Sequence, residues 1–412
     1  MYSTHPIAVL VINLIVFPPE ALASIKLQQS YIAQIRSRYQ SMSADAAALE
    51  RLFTSSQVKA EWFAPGFLAQ VPIDKVREII AGLKSEFGNY QKVQQNGQDY
   101  LVVLSRNSIP TKIVLNQKGQ IVGLLFQPPS VKSLEEALTQ LKSLPGQVSF
   151  LVKEGKSKLA ELNSTTPLAV GSAFKLAVLK ELQSQITSGK FSWKDVVLLQ
   201  PEWKSLPSGM LQAWADKSPI TIQTLATLMI SLSDNTATDA LIDLIGRAAV
   251  ESIAPRNRPF LTTREFFILK GSQNKDLLER YRNSNEGQRR AILAELKQLP
   301  LPEVSEFIGN SPIALDVEWL FTTEELCTLM SEVAPLPVMS VNPGVANIND
   351  WERVAFKGGS ESGVINMTTW LEAKNGKNYC VAATWNNSNE PVDETKFSTI
   401  YSGVLSFLAS KM

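Results

Sequence analysis

Histidine is almost absent from this chain, since the only one in its 412 residues is His5. A Ser-His-Asp or Cys-His mechanism uses imidazole as its base, and ordinary zinc sites use imidazole or clustered cysteines as ligands. Cys327 and Cys380 are far apart in the sequence and do not form a cluster of that kind. We therefore expect neither a metal nor an organic cofactor. Any hydrolytic chemistry is expected to use lysine, a carboxylate or tyrosine as its base.

A surplus of charge of either sign is also absent, because 40 lysine and arginine residues stand against 39 aspartate and glutamate residues. Proteins that bind nucleic acid or anionic membranes electrostatically carry a basic surplus, so we expect neither partner. Two cysteines in a chain of this length are more often buried and reduced than paired. In an oxidising compartment Cys327 and Cys380 would instead form a disulfide.

No apolar run reaches the roughly 20 residues that a membrane-spanning helix needs. One such run lies in the N-terminal stretch MYSTHPIAVLVINLIVFPPEALAS, where Pro18 and Pro19 end it. An apolar core followed by Ala-Leu-Ala is typical of a secretory signal peptide, although no lysine or arginine precedes it here. We expect residues 1–23 to be a signal peptide and the mature protein to be periplasmic or secreted. The alternative is a buried N-terminal strand or helix.

Residues 24–145 have the pattern of a small α+β domain. A helical pattern covers residues 24–60, and PIDKVREIIAGLKSEFG predicts a second helix that ends at Gly88. The apolar face of that helix consists of Val76, Ile79, Ile80 and Leu83. Three strand-like runs with Asn-Gly and Lys-Gly turns follow. This order resembles the cone-shaped fold of the nuclear transport factor 2 (NTF2) and steroid isomerase superfamily, and any homo-oligomer is expected to form through this domain.

Residues 146–412 predict a second α+β domain. QVSFLVKEG begins it with a strand, helical patterns dominate its middle, and VINMTTWLEAKNG and NYCVAATWNN predict a hairpin before a last helix. Strands from both ends of one domain are expected to complete a single antiparallel sheet beside a helical subdomain.

Three Ser-x-x-Lys spacings occur, at Ser56, Ser172 and Ser272, and a surface serine beside a solvated lysine is the ordinary interpretation of each. Ser172 differs because it opens an apolar helical stretch, SAFKLAVLKELQSQI. Free N–H groups at the start of a helix favour negative charge on the serine oxygen. Lys175 follows one turn later, and burial would lower its pKa so that it accepts the hydroxyl proton. The pair would supply a nucleophile and a base without histidine.

Two further groups follow along the chain. Ser233-Asp234-Asn235 lies between two apolar helical stretches, and Lys357-Gly358-Gly359 lies on an apolar strand. Alone, the first is an ordinary helix cap or turn and the second an exposed hairpin lysine. In this order after Ser172, they resemble the motifs of the penicilloyl-serine transferase superfamily, which contains the class A β-lactamases and the penicillin-binding proteins.

The resemblance covers roughly residues 147–412 and implies a β-lactamase/transpeptidase-like fold with an antiparallel sheet and a helical subdomain. With the preceding domain, the arrangement is most similar to the two-domain β-lactamase-like proteins of clavulanic acid biosynthetic clusters. The resemblance implies that Ser172 is the acylated nucleophile and Lys175 its proton acceptor. Ser233 would relay the proton to the leaving group.

The resemblance also implies a set of substrate-binding groups. Asn235 would orient the catalytic lysine and the substrate amide, whereas Asp234 would be structural. Lys357 would attract a substrate carboxylate, and the backbone N–H groups of Ser172 and Ser360 would form the oxyanion hole.

Two departures from the family pattern bear on the expected activity. Gly358 stands where a threonine or serine normally holds the substrate carboxylate, and Ser360 or Ser362 is a candidate replacement. No Glu-x-x-Leu-Asn segment precedes the helix start at Thr322-Thr323; a longer, charged helical insertion lies there instead. The insertion and its end offer three carboxylates as replacement bases, each more simply interpreted as a solvated surface group: Glu303, Glu306 and Glu318.

Without a base that activates water, an acyl-enzyme should turn over slowly. We therefore expect a serine hydrolase that acts on a small-molecule acyl donor, with weak or narrow β-lactamase activity or with esterase activity. The alternatives are a penicillin-binding-type peptidase that acts on D-Ala-D-Ala peptides, and a non-catalytic sensor that binds a β-lactam or another ligand.

Overall fold

The computed structural model of the protein describes residues 44–96, 99–105, 108–126, 131–307 and 311–411. The chain divides into two compact units, residues 1–129 and residues 130–412. The predicted signal peptide lies outside the described residues. The sequence places the domain boundary after residue 145, but helix α4 (Leu134–Lys142) belongs to the second unit, where it contacts the C-terminal helix.

The first unit combines helices with a four-stranded antiparallel sheet, so the predicted α+β character and meander are present. Val76 and Ile80 are buried as expected, whereas Ile79 on the predicted apolar face is 39% exposed. Gly88 ends its helix with a φ of +90°, as the sequence indicates. The elements are α1 (residues 44–54), α2 (Pro65–Gln70), α3 (Ile73–Phe87), β1 (Tyr90–Asn96), β2 (Asp99–Leu104), β3 (Ser108–Leu115) and β4 (Ile121–Phe126).

A five-stranded antiparallel sheet forms the centre of the second unit, and strands from both ends of the unit complete it as predicted. Its order is β11-β12-β13-β5-β6. Successive residues of β5 face opposite layers, since Phe150 and Val152 pack with α4 and the C-terminal helix while Leu151 packs with the helical part. The strands are β5 (Gln147–Glu154), β6 (Ser157–Leu162), β7 (Leu168–Ala169), β8 (Val196–Leu198), β9 (Pro219–Thr221), β10 (Leu320–Phe321), β11 (Arg353–Glu361), β12 (Val364–Glu372) and β13 (Asn378–Asn386).

The helical part of the second unit surrounds one helix, α5, whose residues Leu176, Ala177, Val178 and Leu179 are fully buried. The first turns of α5 are thus enclosed on all sides, whereas its later residues Ser184 and Thr187 are exposed. Burial of the start of the helix fixes the position of the turn before it. The helices are α5 (Lys175–Thr187), α6 (Ile222–Ser231), α7 (Asn235–Ile245), α8 (Arg247–Ile253), α9 (Thr263–Lys270), α10 (Lys275–Arg282), α11 (Glu286–Leu296), α12 (Thr323–Val333) and α13 (Glu394–Ala409). Within the described residues, no helix is both long and apolar enough to cross a membrane.

A disulfide bond joins Cys327 on α12 to Cys380 on β13. Of the two states that the sequence leaves open for these cysteines, the paired one is present, because α12 packs directly on the sheet and brings the two side chains together. The bond fastens the helical part to the central sheet.

Removal of this disulfide is expected to lower the free energy of unfolding by about 2–4 kcal/mol, because a cross-link restricts the unfolded chain. The bonded residues are 53 positions apart, so the loop that the bond closes is long. Chemical denaturation of the wild type and of a Cys327→Ala/Cys380→Ala variant, each with and without reductant, measures the effect. Reductant should shift the midpoint of the wild type alone; an unchanged wild-type midpoint would contradict the prediction.

Candidate active site

Ser172 lies on a 3-10 turn, Gly171–Phe174, directly before α5. The sequence predicts that the helix begins at the serine, but a tighter turn comes first and the α-helix begins at Lys175. The side chain of Ser172 is half-buried and borders two adjoining cavities, which also share Ser208 and Ser360. A molecule in either cavity therefore lies beside Ser172.

Lys175 is fully buried on the first turn of α5. Its Nζ atom contacts the backbone oxygen of Ser233, Asn235 Oδ1 at 2.7 Å and Ser233 Oγ at 3.1 Å. Burial, followed by the nearby charge of Lys357, holds the pKa of Lys175 well below its usual value, although two aspartates oppose the shift. The structure thus provides a lysine in a setting that favours its neutral form.

Asp234 fixes the segment that carries Ser233 and Asn235. Its Oδ1 caps α7 by accepting a hydrogen bond from Ala237 N at 2.8 Å, and its Oδ2 accepts from Met210 N and Leu211 N at 2.6 and 2.9 Å. These bonds hold Ser233 in a left-handed backbone conformation with a φ of +56°, which serine rarely adopts. The result is a fixed position for the Ser233 hydroxyl.

Lys357 lies on β11 and is almost fully buried. Its Nζ contacts Ser233 Oγ at 3.1 Å and donates to the carbonyl of Gly358. Burial lowers the pKa of Lys357 to about 7. Ser233 Oγ therefore lies between two lysine amines, each at 3.1 Å, and connects them by hydrogen bonds.

Gly359 lies directly against the turn that holds the nucleophile. A Cβ atom at this position would come within 2.3 Å of Ser172 N and of Val170 O. The next residue, Ser360, has an exposed side chain, and its backbone N lies close to the same turn, because a Cβ on Gly171 would approach it to 3.1 Å. Only glycine permits this approach, which brings the backbone N atoms of Ser172 and Ser360 to one side of the site.

Gly358 has a different reason to lack a side chain. A Cβ there would meet the ring of Phe356 at 2.9 Å and the backbone oxygen of Asn366 at 3.0 Å. A threonine or serine at this position would thus require the ring of Phe356 to move. The packing of β11 therefore explains why the Lys357-Gly358-Gly359 motif has no hydroxyl group at position 358.

The cavity on one side of Ser172 has a volume of about 280 Å³ and an aromatic wall. Phe174 and Trp319 stack with ring centroids 3.8 Å apart, and Phe266 also stacks with Trp319, at 4.8 Å. Ser208 borders the entrance, and its hydroxyl donates to the backbone oxygen of Ser233 at 2.8 Å. The sequence reasoning missed Ser208, although its Pro-Ser-Gly setting in front of the Ser233 motif marks it as a turn residue.

A buried cluster of one lysine and two glutamates lies along the same cavity and was not predicted. Lys270 contacts both Glu318 and Glu361, the latter at 2.9 Å, and its Nζ lies 4.2 Å from the centroid of the Phe266 ring. The side chain of Glu318 is fully buried, so the interpretation of Glu318 as a solvated surface carboxylate is wrong. The sequence gives no signal for this cluster, because its three members come from segments far apart in the chain.

The other two candidate carboxylates differ from Glu318. Glu303 is exposed, as the surface interpretation requires. Glu306 is half-buried at the cavity wall, and its carboxylate accepts a hydrogen bond from the backbone N–H of Ser272 at 2.7 Å. Among the residues that the structure describes, no group of three or more histidine, cysteine, aspartate or glutamate side chains is arranged to hold a metal ion.

The match to a known protein family lies within the second unit. Residues 132–286 match the model of a family described as the β-lactamase enzyme family, Beta-lactamase2. The match includes Ser172, Lys175, Ser233 and Asn235, whereas Lys357 and Ser360 lie beyond it. No curated protein matches the chain.

Several solved structures are similar to about two thirds of this chain. A β-lactamase from Sphaerobacter thermophilus DSM 20745 is 20% identical, covers 68% of this chain and 97% of its own, and has a TM-score of 0.47. A β-lactamase from Francisella tularensis is 13% identical over 68% of this chain and 99% of its own, with a TM-score of 0.46. The protein PBP-A is 16% identical over 67% of this chain and 95% of its own, with a TM-score of 0.45.

Proposed function

We propose that this protein is a serine hydrolase that forms an acyl-enzyme on Ser172. The observation that carries the proposal is the environment of Lys175, which is fully buried one turn after a serine that borders two cavities. A neutral amine has two N–H donors and one lone pair. The carbonyls of Ser233 and Asn235 accept the two donors, so the lone pair remains for the proton of a hydroxyl group. The Ser233 hydroxyl lies within reach of this amine at 3.1 Å, and we assign the proton of Ser172 to the same amine.

In acylation, Lys175 takes the proton of Ser172 while Ser172 Oγ attacks the carbonyl carbon of the acyl donor. The carbonyl oxygen gains negative charge, which the backbone N–H groups of Ser172 and Ser360 stabilise. Ser233 then gives its proton to the leaving group and recovers one from Lys175, since its Oγ lies 3.1 Å from that amine. The bond between carbonyl carbon and leaving group breaks, and the acyl group stays on Ser172.

The substrate class follows from the walls of the site. The aromatic cavity accommodates an apolar acyl group, while Lys357 provides positive potential on the Ser233 side. Since Gly358 offers no hydroxyl, a substrate carboxylate loses one hydrogen bond, and we expect weak or narrow β-lactam hydrolysis or hydrolysis of esters. Peptidase activity on D-Ala-D-Ala substrates and a sensor role remain the competing assignments.

Intact mass spectrometry of the protein with a reactive cephalosporin tests the proposal. The wild type should gain the mass of the acyl group, and a Ser172→Ala variant should not. An adduct on both proteins, or on neither of them with either a cephalosporin or an activated ester, would refute the proposed nucleophile. An adduct that forms and never decays would favour the sensor role.

The affinity for acyl donors that carry a carboxylate is expected to fall as the pH rises through about 7. Lys357, whose pKa burial lowers to about 7, is protonated below that pH and neutral above it. The KM of an anionic acyl donor should thus rise relative to that of a neutral ester of similar size. Steady-state kinetics of both substrates between about pH 5.5 and 9 measures the ratio, and a constant ratio would contradict this role of Lys357.

The disulfide between Cys327 and Cys380 supports export, because disulfides persist in oxidising compartments. We therefore retain the proposal of a periplasmic or secreted protein with residues 1–23 as its signal peptide. The NTF2-like identity of the first unit, its part in oligomers and the similarity to proteins of clavulanic acid clusters also stay predictions.

A further inference from the structure

A polar cluster extends from the buried interior to the cavity beside Ser172. Lys270 ends α9, Glu318 precedes β10, and Glu361 ends β11. Lys270 and Glu361 border the cavity, and the exposed fraction of the Glu361 side chain is 22%, against 0% for Glu318. Of the two carboxyl groups, Glu361 is the one that faces the space in which an acyl group on Ser172 would lie.

The charges of the cluster divide unequally between the two carboxyl groups. Glu318 lies within hydrogen-bonding reach of Glu361, and burial together with the charge of Glu361 raises the pKa of Glu318 well above its usual value. Glu318 Oε2 is buried and receives no hydrogen bond. A protonated Glu318 is able to direct its O–H toward Glu361, while Lys270 contacts both carboxyl groups, Glu361 at 2.9 Å.

Stability alone does not account for such a cluster. Removing charged groups from water costs several kcal/mol per ion, so a buried ion pair is often no more stable than apolar residues of the same volume. The ion pairs of Lys270 have aromatic neighbours: Phe266 lies under the Lys270 amine, and Trp319 lies at the same cavity wall. An ionic group retained in an aromatic wall next to a nucleophile is a candidate functional group.

We propose that Glu361 is the general base that activates water for hydrolysis of the acyl group on Ser172, and that Lys270 and Glu318 position its carboxylate. This inference rests on the proposed acyl-enzyme. Glu361 directly follows Ser360, whose backbone N–H is assigned to the oxyanion hole, so the carboxylate is on the strand that flanks the acyl carbonyl. It would take the part of the base that the sequence lacks before Thr322.

The hydrolytic step uses only water and the groups described. Glu361 takes a proton from a water molecule, and the resulting hydroxide adds to the carbonyl carbon of the acyl group. The tetrahedral intermediate then collapses with cleavage of the bond between that carbon and Ser172 Oγ. The proton on Glu361 passes to Ser172 Oγ, so the serine and the carboxylate are regenerated and the acyl group leaves as a carboxylic acid.

Decay of the acyl-enzyme tests this assignment. Wild type and Glu361→Gln are mixed with a reactive cephalosporin or an activated aryl ester, and intact mass is followed as the adduct forms and after excess donor is removed. Glu361→Gln should form the adduct at a rate within about threefold of wild type and lose it about 10²–10⁴-fold more slowly. Lys270 keeps Glu318 as its partner in this variant, so the fold is expected to persist.

Two additions separate base catalysis from a structural effect. Glu372→Gln is the matched control, because Glu372 lies on the neighbouring strand β12 and pairs with Arg353 at 3.2 Å, outside both cavities. Its adduct should decay at the wild-type rate. Hydroxylamine, which attacks an acyl ester without needing deprotonation, should release the adduct of Glu361→Gln about as fast as that of wild type.

The possible results distinguish failure of the Glu361 assignment from failure of the proposed acyl-enzyme. Equal decay of the wild-type and Glu361→Gln adducts, slow decay in Glu306→Gln instead, or a wild-type adduct that persists for hours would overturn the role of Glu361 while leaving the acyl-enzyme intact. Failure of the wild type to form any adduct would overturn the acyl-enzyme and the role of Glu361 with it.

Discussion

Replacement of Lys175 with methionine is expected to slow acylation of Ser172 by about 10²–10⁴-fold, the usual contribution of a positioned base. Methionine matches the buried length of the lysine side chain but has no amine to accept the hydroxyl proton. The carbonyl of Ser233 and Asn235 Oδ1 would lose a donor, while the cost of burying an amine disappears. Stopped-flow or intact-mass measurement of adduct formation, with a thermal melt of each protein, measures both effects.

Lys180→Met is the matched control for this prediction. Lys180 lies on the same helix, but its amine pairs with Glu332 at 3.1 Å and is partly exposed. This variant should acylate at the wild-type rate. Near-normal acylation by Lys175→Met would mean that another group takes the proton of Ser172, and the mechanism proposed above would then be wrong.

Replacement of Gly359 with alanine is expected to reduce acylation by about 10²–10³-fold and to destabilise the second unit by about 1–3 kcal/mol. The added methyl group would lie 2.3 Å from Ser172 N and Val170 O and 2.7 Å from Ala173 N. All three are backbone atoms, so β11 must separate from the nucleophile turn. That movement draws Ser360 N away from Ser172 N and disrupts the oxyanion hole.

The neighbouring glycine provides the comparison. Gly358→Ala places its methyl group 2.9 Å from the end of the Phe356 ring and 3.0 Å from Asn366 O, so its nearest contact is a half-buried side chain rather than the backbone of the nucleophile turn. Adduct formation and chemical denaturation of both variants should show the larger loss for Gly359→Ala. Equal losses would mean that the contact between strand and turn does not control the oxyanion hole.

The sequence predicts those features that depend on the residue types and the pattern of one short segment. The absence of histidine directed attention to Lys175, and the structure places its amine against Ser233 and Asn235, which come from a separate motif. The predicted hairpin before a last helix is also present as β12, β13 and α13. These features follow from spacing, periodicity and turn residues, which are properties of short segments.

The features that were missed depend on packing between distant segments. Lys270, Glu318 and Glu361 each look like surface residues in their own segments, and only the fold buries them together. The pairing of Cys327 with Cys380 likewise depends on how α12 lies on the sheet. Hydrophobic pattern predicts which residues avoid water, but it does not predict which charged residues accompany them into the core.

The strand order of the central sheet also constrains how the protein is made. Strand β5 has two neighbours in the sheet. One is its hairpin partner β6, and the other is β13, which comes much later in the chain. During synthesis, the segment that carries Ser172 must therefore wait until β11 has been made with Lys357 and Ser360. Pairing over such separations is slow. We expect products truncated before β11 to form no acyl adduct, because they lack Lys357 and Ser360.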